Sequence, residues 1–147
     1  MRALSSRPPR RGTTVIEIGV VLAMLGLVAG IAVPRFTAYR DWIATEAAAT
    51  SALALLSTAR HAAIRRATVT AVHFDTALAV VTVFAGTDTL LRRPLGAVHG
   101  VRLRASRDSI AYAPNGMGFG AANTQIILSR GAAADTVTVS RLGRARR

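Results

Sequence analysis

Two groups of charged side chains in this sequence have spacings that suggest chemistry. Glu17 directly precedes residues 18–33, sixteen residues without a charge. An ionised acid at mid-bilayer costs about 2.5–3.5 kcal/mol or more, so an acid beside such a stretch is expected to have a partner. The last seven residues contain four arginines, which can bind phosphate groups bidentately. They are Arg141, Arg144, Arg146 and Arg147.

Catalytic and metal-binding patterns are missing from the sequence. His61, His73 and His99 are scattered, and none is spaced with a carboxylate or a second histidine as a zinc site or a catalytic triad requires. The Gly-rich segment 114–120 is not followed by Lys-Ser/Thr, so it predicts a turn rather than a phosphate loop. No cysteine is present. We therefore expect no enzyme activity, no metal and no cofactor.

Length and composition indicate one folded domain with a strong positive charge. The chain has 147 residues, of which 51% are hydrophobic, and its mean hydropathy is +0.37. Such a composition argues against disorder over most of the length. Nineteen arginines against seven acids give a formal net charge of +12, and the arginines cluster at both ends of the chain.

The N-terminus predicts a membrane segment. Residues 1–12 contain four arginines and no acid, and residues 13–33 form about 31 Å of helix at roughly 1.5 Å per residue, enough to cross a bilayer. The positive-inside rule places everything after Pro34 on the far side. A plain signal anchor and a secretory signal cleaved after Ala32 are alternatives, while Arg10-Arg11 fits a twin-arginine signal poorly.

A cut after Gly12 would give Glu17 a partner. The new N-terminus would be the amine of Thr13, one helical turn before Glu17. The helix dipole favours a carboxylate at this position, and the same carboxylate can neutralise the α-amine of a neighbouring chain. The alternative is that Glu17 is merely an interfacial residue.

Beyond the membrane the helix is expected to continue, because residues 35–66 lack Gly and Pro and are rich in Ala and Leu. It should end near Thr68, with a kink at Pro34. An apolar stripe at helical spacing is expected to pack on the rest of the domain. Its residues are Tyr39, Trp42, Ile43, Leu53, Leu56, Ala59, Ala63 and Ile64.

From Thr68 the apolar period changes to two, which predicts β-strands. The sequence predicts a hairpin of strands 68–74 and 77–84, a half-buried strand within 98–104 and a short strand at 109–112. A last hairpin joins 125–129 to 136–140, and a flexible basic tail follows it. One long helix followed by an antiparallel sheet is an α+β fold.

The N-terminal pattern resembles the type IV pilin and type II secretion pseudopilin superfamily. The shared features are a basic leader ending in Gly12, Glu17 five residues past the cut, an apolar helix and Pro34; the family usually has Phe or Met where this chain has Thr13. The second half, with 112–116 and a Gly-Arg-x-Arg ending at 143–146, resembles the GspH/FimT group of minor pseudopilins and pilins.

The resemblance implies a pilin-like fold and a domain scheme. Residues 1–12 would be a cleaved leader, 13–34 the transmembrane half of the helix, 35–67 its periplasmic half, 68–141 the β-sheet domain and 142–147 a basic tail. The chain would sit in the inner membrane as a single-pass protein. Its partners would be membrane lipid, prepilin peptidase, the inner-membrane assembly platform and other pseudopilin or pilin subunits.

The function implied is that of a minor pseudopilin in the pseudopilus of a type II secretion system, which exports proteins. The alternative is a FimT-like minor pilin of a type IV pilus or competence machine that binds DNA through Arg141, Arg144, Arg146 and Arg147. A simple anchored periplasmic domain is a third reading.

Processing is the first testable prediction. Cleavage of the Gly12–Thr13 bond should leave 135 residues, N-methylated on Thr13, and the intact mass of the membrane-extracted protein measures this. Gly12→Ala or a bulkier substitution should block the cut. A mature N-terminus at Val33 would mean ordinary secretion instead, and an uncut chain would mean a signal anchor.

Overall fold

The computed structural model describes Gly12, residues 14–119 and residues 124–147. These residues divide into two compact units, one up to Phe36 and the other Thr37–Arg147. Within the described ranges the elements follow in this order: α1 Val15–Arg66, β1 Thr70–Asp75, β2 Val80–Ala85, β3 Asp88–Pro94, α2 Leu95–His99, β4 Arg102–Ala105, β5 Ser109–Tyr112, β6 Gly118–Phe119, β7 Thr124–Arg130, β8 Ala133–Val139 and β9 Ala145–Arg146.

Helix α1 ends through a specific set of backbone contacts. Ala67 adopts a left-handed φ of 50°. The N–H of Thr68 donates to the Ala63 carbonyl at 3.2 Å, and the N–H of Ala67 donates to the Ile64 carbonyl at 3.3 Å. These two bonds form a Schellman motif, which satisfies carbonyls that the last turn would otherwise leave unpaired. The helix therefore stops at Arg66, close to the predicted end.

The second half of α1 buries a face lined mainly by alanine. The buried positions recur every three or four residues, as one face of an α-helix requires. They are Thr45, Ala48, Ala49, Ala52, Leu55, Leu56, Ala59, Ala62 and Ala63. Because these side chains are mostly small, larger residues from the strands fill the core beside them.

The predicted apolar stripe on α1 is only partly right. Leu56, Ala59 and Ala63 are buried, and Leu53 is partly buried. The prediction is wrong for four larger residues, which are 43–57% exposed: Tyr39, Trp42, Ile43 and Ile64. The aromatic rings of Tyr39 and Trp42 stack on each other instead, with centroids 6.0 Å apart. Residue size misled the prediction, because the alanine face has the same periodicity.

Two antiparallel sheets complete the domain. The first sheet has the strand order β3-β2-β1-β5-β6 and the second has the order β4-β7-β8-β9. Their inward side chains form one core with the buried face of α1. The larger contributors are Val72, Phe74, Val81, Val83, Ile110, Tyr112, Leu103, Ile126, Leu128, Val137 and Val139. The predicted α+β architecture, a long helix packed by its second half on an antiparallel sheet domain, is confirmed.

Both predicted hairpins are present, but their turns differ from the prediction. In the first hairpin Asp75 pairs with Val80, so the turn has four residues rather than two. In the last hairpin Arg130 pairs with Ala133, which leaves a two-residue turn. That turn begins at Gly131, whose left-handed φ of 54° suits glycine.

The strand predicted within 98–104 is partly wrong, because its first residues belong to the short helix α2. Pro94 precedes this helix, and Gly100 ends it with a left-handed φ of 66° and an N–H bond to the Gly96 carbonyl. Strand β4 starts at Arg102. Strand β3, which precedes α2 at the edge of the first sheet, was not predicted.

The alanine face of α1 gives a test of the packing. Replacing Ala59 by Leu should lower the free energy of unfolding by about 1–3 kcal/mol, because a larger side chain overpacks a filled core. The same change at Ala54, which is exposed on the same helix, should alter it by no more than about 0.5 kcal/mol. Urea unfolding of the detergent-solubilised chain measures both variants. Equal effects would contradict the burial described for this face.

Candidate functional site

The first predicted functional residue lies in the first turn of α1. The Thr14 hydroxyl accepts a hydrogen bond from the Glu17 N–H at 3.2 Å, and the Thr14 carbonyl accepts one from the Ile18 N–H at 3.2 Å. The Thr-x-x-Glu spacing is that of a capping box. Glu17 is exposed there, where the helix dipole favours a negative charge. Sequence reasoning missed the Thr14 cap, although the spacing signals it.

Several predicted features of this end stay predictions. Gly12 is exposed, whereas Thr13 lies outside the described residues. Cleavage of the bond between them and methylation of Thr13 are therefore expectations from sequence alone. Pro34 lies within α1, and the kink expected there likewise stays a prediction.

Helix α1 continues from Glu17 into a stretch whose large apolar side chains are all exposed. Their exposed fractions run from 49% to 71%: Ile18, Val20, Val21, Leu22, Met24, Leu25, Leu27, Val28, Ile31 and Val33. By length and composition, α1 is the one helix among the described residues that could cross a membrane. We call residues 18–33 the apolar stretch.

The C-terminal arginines lie on a hairpin rather than on a free tail. Strand β9 pairs with the end of β8, where Thr138 lies opposite Arg146. In the turn, the Ser140 N–H donates to the Arg144 carbonyl and the Gly143 N–H donates to the Ser140 carbonyl, both at 2.9 Å. The expectation of a flexible basic tail is thereby corrected, because backbone pairing holds this segment on the second sheet.

Gly143 fixes the hairpin against the loop between β5 and β6. Its φ is +72°, and a Cβ atom there would lie 2.9 Å from the Gly118 nitrogen, 3.0 Å from the Gly116 oxygen and 3.0 Å from Tyr112 Cε1. Arg60 on α1 holds the same loop by donating its Nε–H to the Gly116 carbonyl at 2.9 Å. The Gly-rich segment is thus a place where two backbones approach closely.

The structure divides the four predicted arginines into two groups. Arg147 forms ion pairs with Glu46 at 2.9 Å and with Asp135 at 2.5 Å, and the hydrogen bond to Glu46 raises the pKa of Arg147 above its ordinary value. The other three are exposed and make no ion pair within the part of the chain described: Arg141, Arg144 and Arg146.

One serine–histidine contact was not anticipated from the sequence. Ser51 Oγ lies 3.3 Å from His99 Nε2. Among the described residues no carboxylate pairs with the other ring nitrogen of His99, so the third group of a catalytic triad is not in place. The described residues also contain no group of three side chains that could hold a metal ion.

The sheet domain and the buried half of α1 match one family model. That model, described as Type II transport protein GspH, matches residues 48–143, about two thirds of the chain. The chain belongs to the GspH family. No curated protein sequence matches it.

Two crystal structures of the type IV minor pilin FimU from Pseudomonas aeruginosa share the fold of this GspH-family chain. For the P21 crystal form the TM-score is 0.60 at 13% identity, over 69% of this chain and 86% of that one. For the P65 form the TM-score is 0.58 at 12% identity, over 69% and 90%. At such identities the likeness shows the fold alone.

This chain therefore belongs to the GspH family and has the fold of a type IV minor pilin, as the sequence resemblance implied. The matched residues end at Gly143, so Glu17 and three C-terminal arginines lie outside the matched region. Their roles must be argued from the geometry around them.

Because Gly143 of this GspH-family chain packs so closely on its neighbours, adding a single methyl group at this position should strongly destabilise the fold. Gly143→Ala should lower the free energy of unfolding by about 2–4 kcal/mol, because it adds left-handed strain and a backbone clash. Gly86→Ala is the matched control: its φ is +60° but nothing lies within 4 Å of the added Cβ, so about 1 kcal/mol is expected. Thermal and urea unfolding measure both. A Gly143→Ala variant no less stable than Gly86→Ala would refute the close approach.

Proposed function

We propose that this GspH-family chain is a minor pseudopilin of a type II secretion system. It is stored in the inner membrane with its sheet domain in the periplasm, and it then joins the tip of a pseudopilus that moves folded proteins outward. The observation that carries the proposal is the exposed apolar stretch of α1 with Glu17 at its start. The description of the family as a type II transport protein favours secretion over other pilin-like machines.

The apolar stretch must be covered by lipid or by other apolar helices. Removing apolar surface from water contributes about 25 cal/mol per Å², and both surroundings provide this gain. Transfer from lipid to a bundle of helices is therefore close to balanced, and close packing and polar contacts decide it. Gly26 and Gly30 have the G-x-x-x-G spacing that lets helices approach closely. Such a balance suits a subunit that is first stored in a membrane and later withdrawn from it.

Glu17 supplies the polar contact that favours the filament. Prepilin peptidase cleaves after Gly12 and creates an α-amine at Thr13. In the filament the Glu17 carboxylate neutralises that amine on an adjacent subunit, so neither charge is left unpaired in apolar surroundings. The position of Glu17 in the first turn of α1, where the dipole also favours a carboxylate, supports this role.

The domain scheme follows from this proposal. Residues 1–12 are the leader, 13–34 anchor the subunit, 35–67 carry the alanine face, 68–141 form the sheet domain and 142–147 form the C-terminal basic segment. The partners are membrane lipid, prepilin peptidase, the inner-membrane assembly platform and other pseudopilin subunits.

Glu17→Gln separates processing from assembly. The variant should be inserted and cleaved normally but should be absent from sheared filaments, because its amide cannot neutralise the partner amine. Asp88→Asn is the matched control, since Asp88 is an exposed acid on β3 far from the apolar stretch in sequence. Immunoblots of membrane and filament fractions measure both variants. Normal incorporation of Glu17→Gln would rule out this mechanism.

The arrangement of the arginines supports a second candidate function, that of a DNA-binding minor pilin. Arg144, which directly precedes β9, and Arg146, which lies on it, line one surface depression with Thr138 and Ser140. Arg141 is exposed on the adjoining turn. Arginines and hydroxyls on one face can bind successive phosphates without reading bases.

A triple variant tests the DNA-binding function. Replacing Arg141, Arg144 and Arg146 together by Gln should weaken the binding of duplex DNA. It should also reduce the slope of log affinity against log salt concentration by about 2.7 in magnitude, because each phosphate contact contributes about 0.9. The control replaces Arg92, Arg93 and Arg102, exposed arginines on β3 and β4, with the same loss of charge. Fluorescence anisotropy with the full chain in detergent measures both. An equal loss of DNA affinity in the two triple variants would assign the binding to the diffuse positive charge of the domain. If the wild type binds no DNA, the secretion role is the one supported.

A further inference from the structure

The outer edge of β3 borders a groove. Strand β3 is an end strand of the first sheet, and among the described residues no strand pairs with its outer edge. A groove of about 400 Å³ lies between this strand, α1 and α2. Its lining includes Leu91 and Arg93 from β3, Ala54 from α1 and Val98 from α2. An unpaired strand edge and a groove therefore lie side by side.

The pairing of β3 with β2 shows where the side chains of an added strand would point. Leu91 pairs with Val83 and Arg93 pairs with Val81, and both valines are buried in the core. Because paired residues of an antiparallel ladder lie on the same face, Leu91 and Arg93 point to the inner face of the sheet. A strand added beyond β3 would place every second side chain on that face, toward the groove.

The part of β3 beside the groove has a regular backbone. The register shift in this pair lies between Val83 and Phe84, so residues 91–94 pair with β2 without interruption. In an antiparallel ladder, every second residue points its N–H and C=O away from the partner strand. Pro94 has no N–H to donate and ends this edge. The outward backbone groups before it can pair with another strand, which is how strand addition provides affinity.

Contacts within the chain hold the walls of the groove in place. Ser51 Oγ on α1 lies 3.3 Å from His99 Nε2 on α2. Arg130 Nη1–H donates to the His99 carbonyl at 2.7 Å, and Arg130 also forms an ion pair with Asp41 of α1 at 2.9 Å. Helix α2 is thus tied to α1 through both the side chain and the carbonyl of His99. A preformed groove loses less freedom on binding than one that must first be assembled.

The charges around the groove favour an acidic partner. Arg93 lines the groove, Arg92 lies on the opposite face of β3, and both are exposed. Neither forms an ion pair within the described part of the chain, and none of the described residues that line the groove is acidic. A second copy of the chain is disfavoured at this edge, because each copy carries a formal charge of +12.

We propose that the edge of β3 and this groove bind an extended acidic segment of a partner protein by strand addition. The segment pairs its backbone with β3, places apolar side chains against Val98 and Leu91, and presents carboxylates to Arg92 and Arg93. Backbone pairing supplies affinity, and the groove and the arginines supply specificity. This site goes beyond the proposed function, because it requires neither Glu17 nor the apolar stretch.

Synthetic peptides added to the full-length chain in uncharged detergent test the proposal. The first has seven residues, the length of β3, with alternating glutamate and valine and blocked ends. Two further copies are N-methylated, one at the valines and one at the glutamates. One of these two alone should lose at least about tenfold in affinity, because only one set of N–H groups faces β3. Fluorescence anisotropy measures all three. Equal affinities of the two methylated peptides, or no binding of the first peptide, would overturn the proposal.

Amide hydrogen exchange locates the bound peptide. The outward N–H groups of β3 should exchange more slowly when the first peptide is bound, whereas β4 and β9, the end strands of the second sheet, should not change. Binding without protection at β3 would contradict strand addition there. Protection of β3 without peptide that rises with protein concentration would show that a second copy occupies the edge, which would also overturn the proposal.

Two matched pairs of variants test the groove and the charges. Val98→Glu should weaken binding of the first peptide at least about tenfold, because it adds a like charge to the groove. Leu78→Glu is its control, since Leu78 is 63% exposed and does not line the groove. Arg92→Gln should weaken binding about twofold to fivefold, the scale of an exposed ion pair. Arg104→Gln on β4 is its control.

Both controls should change the affinity by less than about twofold. All four replaced side chains are exposed, so each variant should keep the thermal transition of the wild type. Equal losses within the first pair would show that the groove takes no part, and equal losses within the second would assign the attraction to the net charge. Either result would overturn the site as described.

Discussion

The packing of one alanine-lined helix face against two sheets is the contact on which the domain depends. The buried positions of α1 run from Thr45 to Ala63, and side chains from both sheets meet them in a single core. The same helix begins with an apolar stretch that is exposed along its length. Helix α1 therefore carries two apolar surfaces. The alanine face is buried within the chain, whereas the apolar stretch requires lipid or other helices to cover it. This division underlies the proposed role of a stored subunit that later assembles.

A second constraint holds the C-terminus in place. Gly143 lies so close to the backbone of Gly116 and Gly118 that no side chain fits there. Because the Arg60 side chain holds the same loop, the helix, the loop and the C-terminal hairpin form one connected unit. Arg144, which follows Gly143, therefore lies on a fixed backbone. A cation on a fixed backbone loses less conformational freedom when it binds an anion than a cation on a free tail would.

Sequence reasoning succeeded where the signal is local. The continuation of α1 to Arg66 follows from the run 35–66, which lacks Gly and Pro, and the hairpins follow from β-branched residues with period two. It failed where distant residues decide the outcome. Arg147 was grouped with the free arginines because its partner Glu46 is 101 positions away in the sequence. The Gly-rich loop could be predicted as a turn, but its close contact with Gly143 could not be predicted. The face of α1 was misjudged at Tyr39 and Trp42, since alanine gives a weaker hydrophobic signal than an aromatic ring.

Photo-crosslinking from within the apolar stretch tests the central claim most directly. A photoreactive amino acid replaces Leu25, which is 59% exposed on α1, or Leu78, which is 63% exposed in the first hairpin turn. In cells that assemble the filament, Leu25 should yield adducts with other pilin-like subunits in the filament fraction, whereas Leu78 should give far fewer. Adducts from Leu25 to lipid alone in that fraction, or equal protein adducts from both positions, would contradict the assignment of this surface to subunit packing.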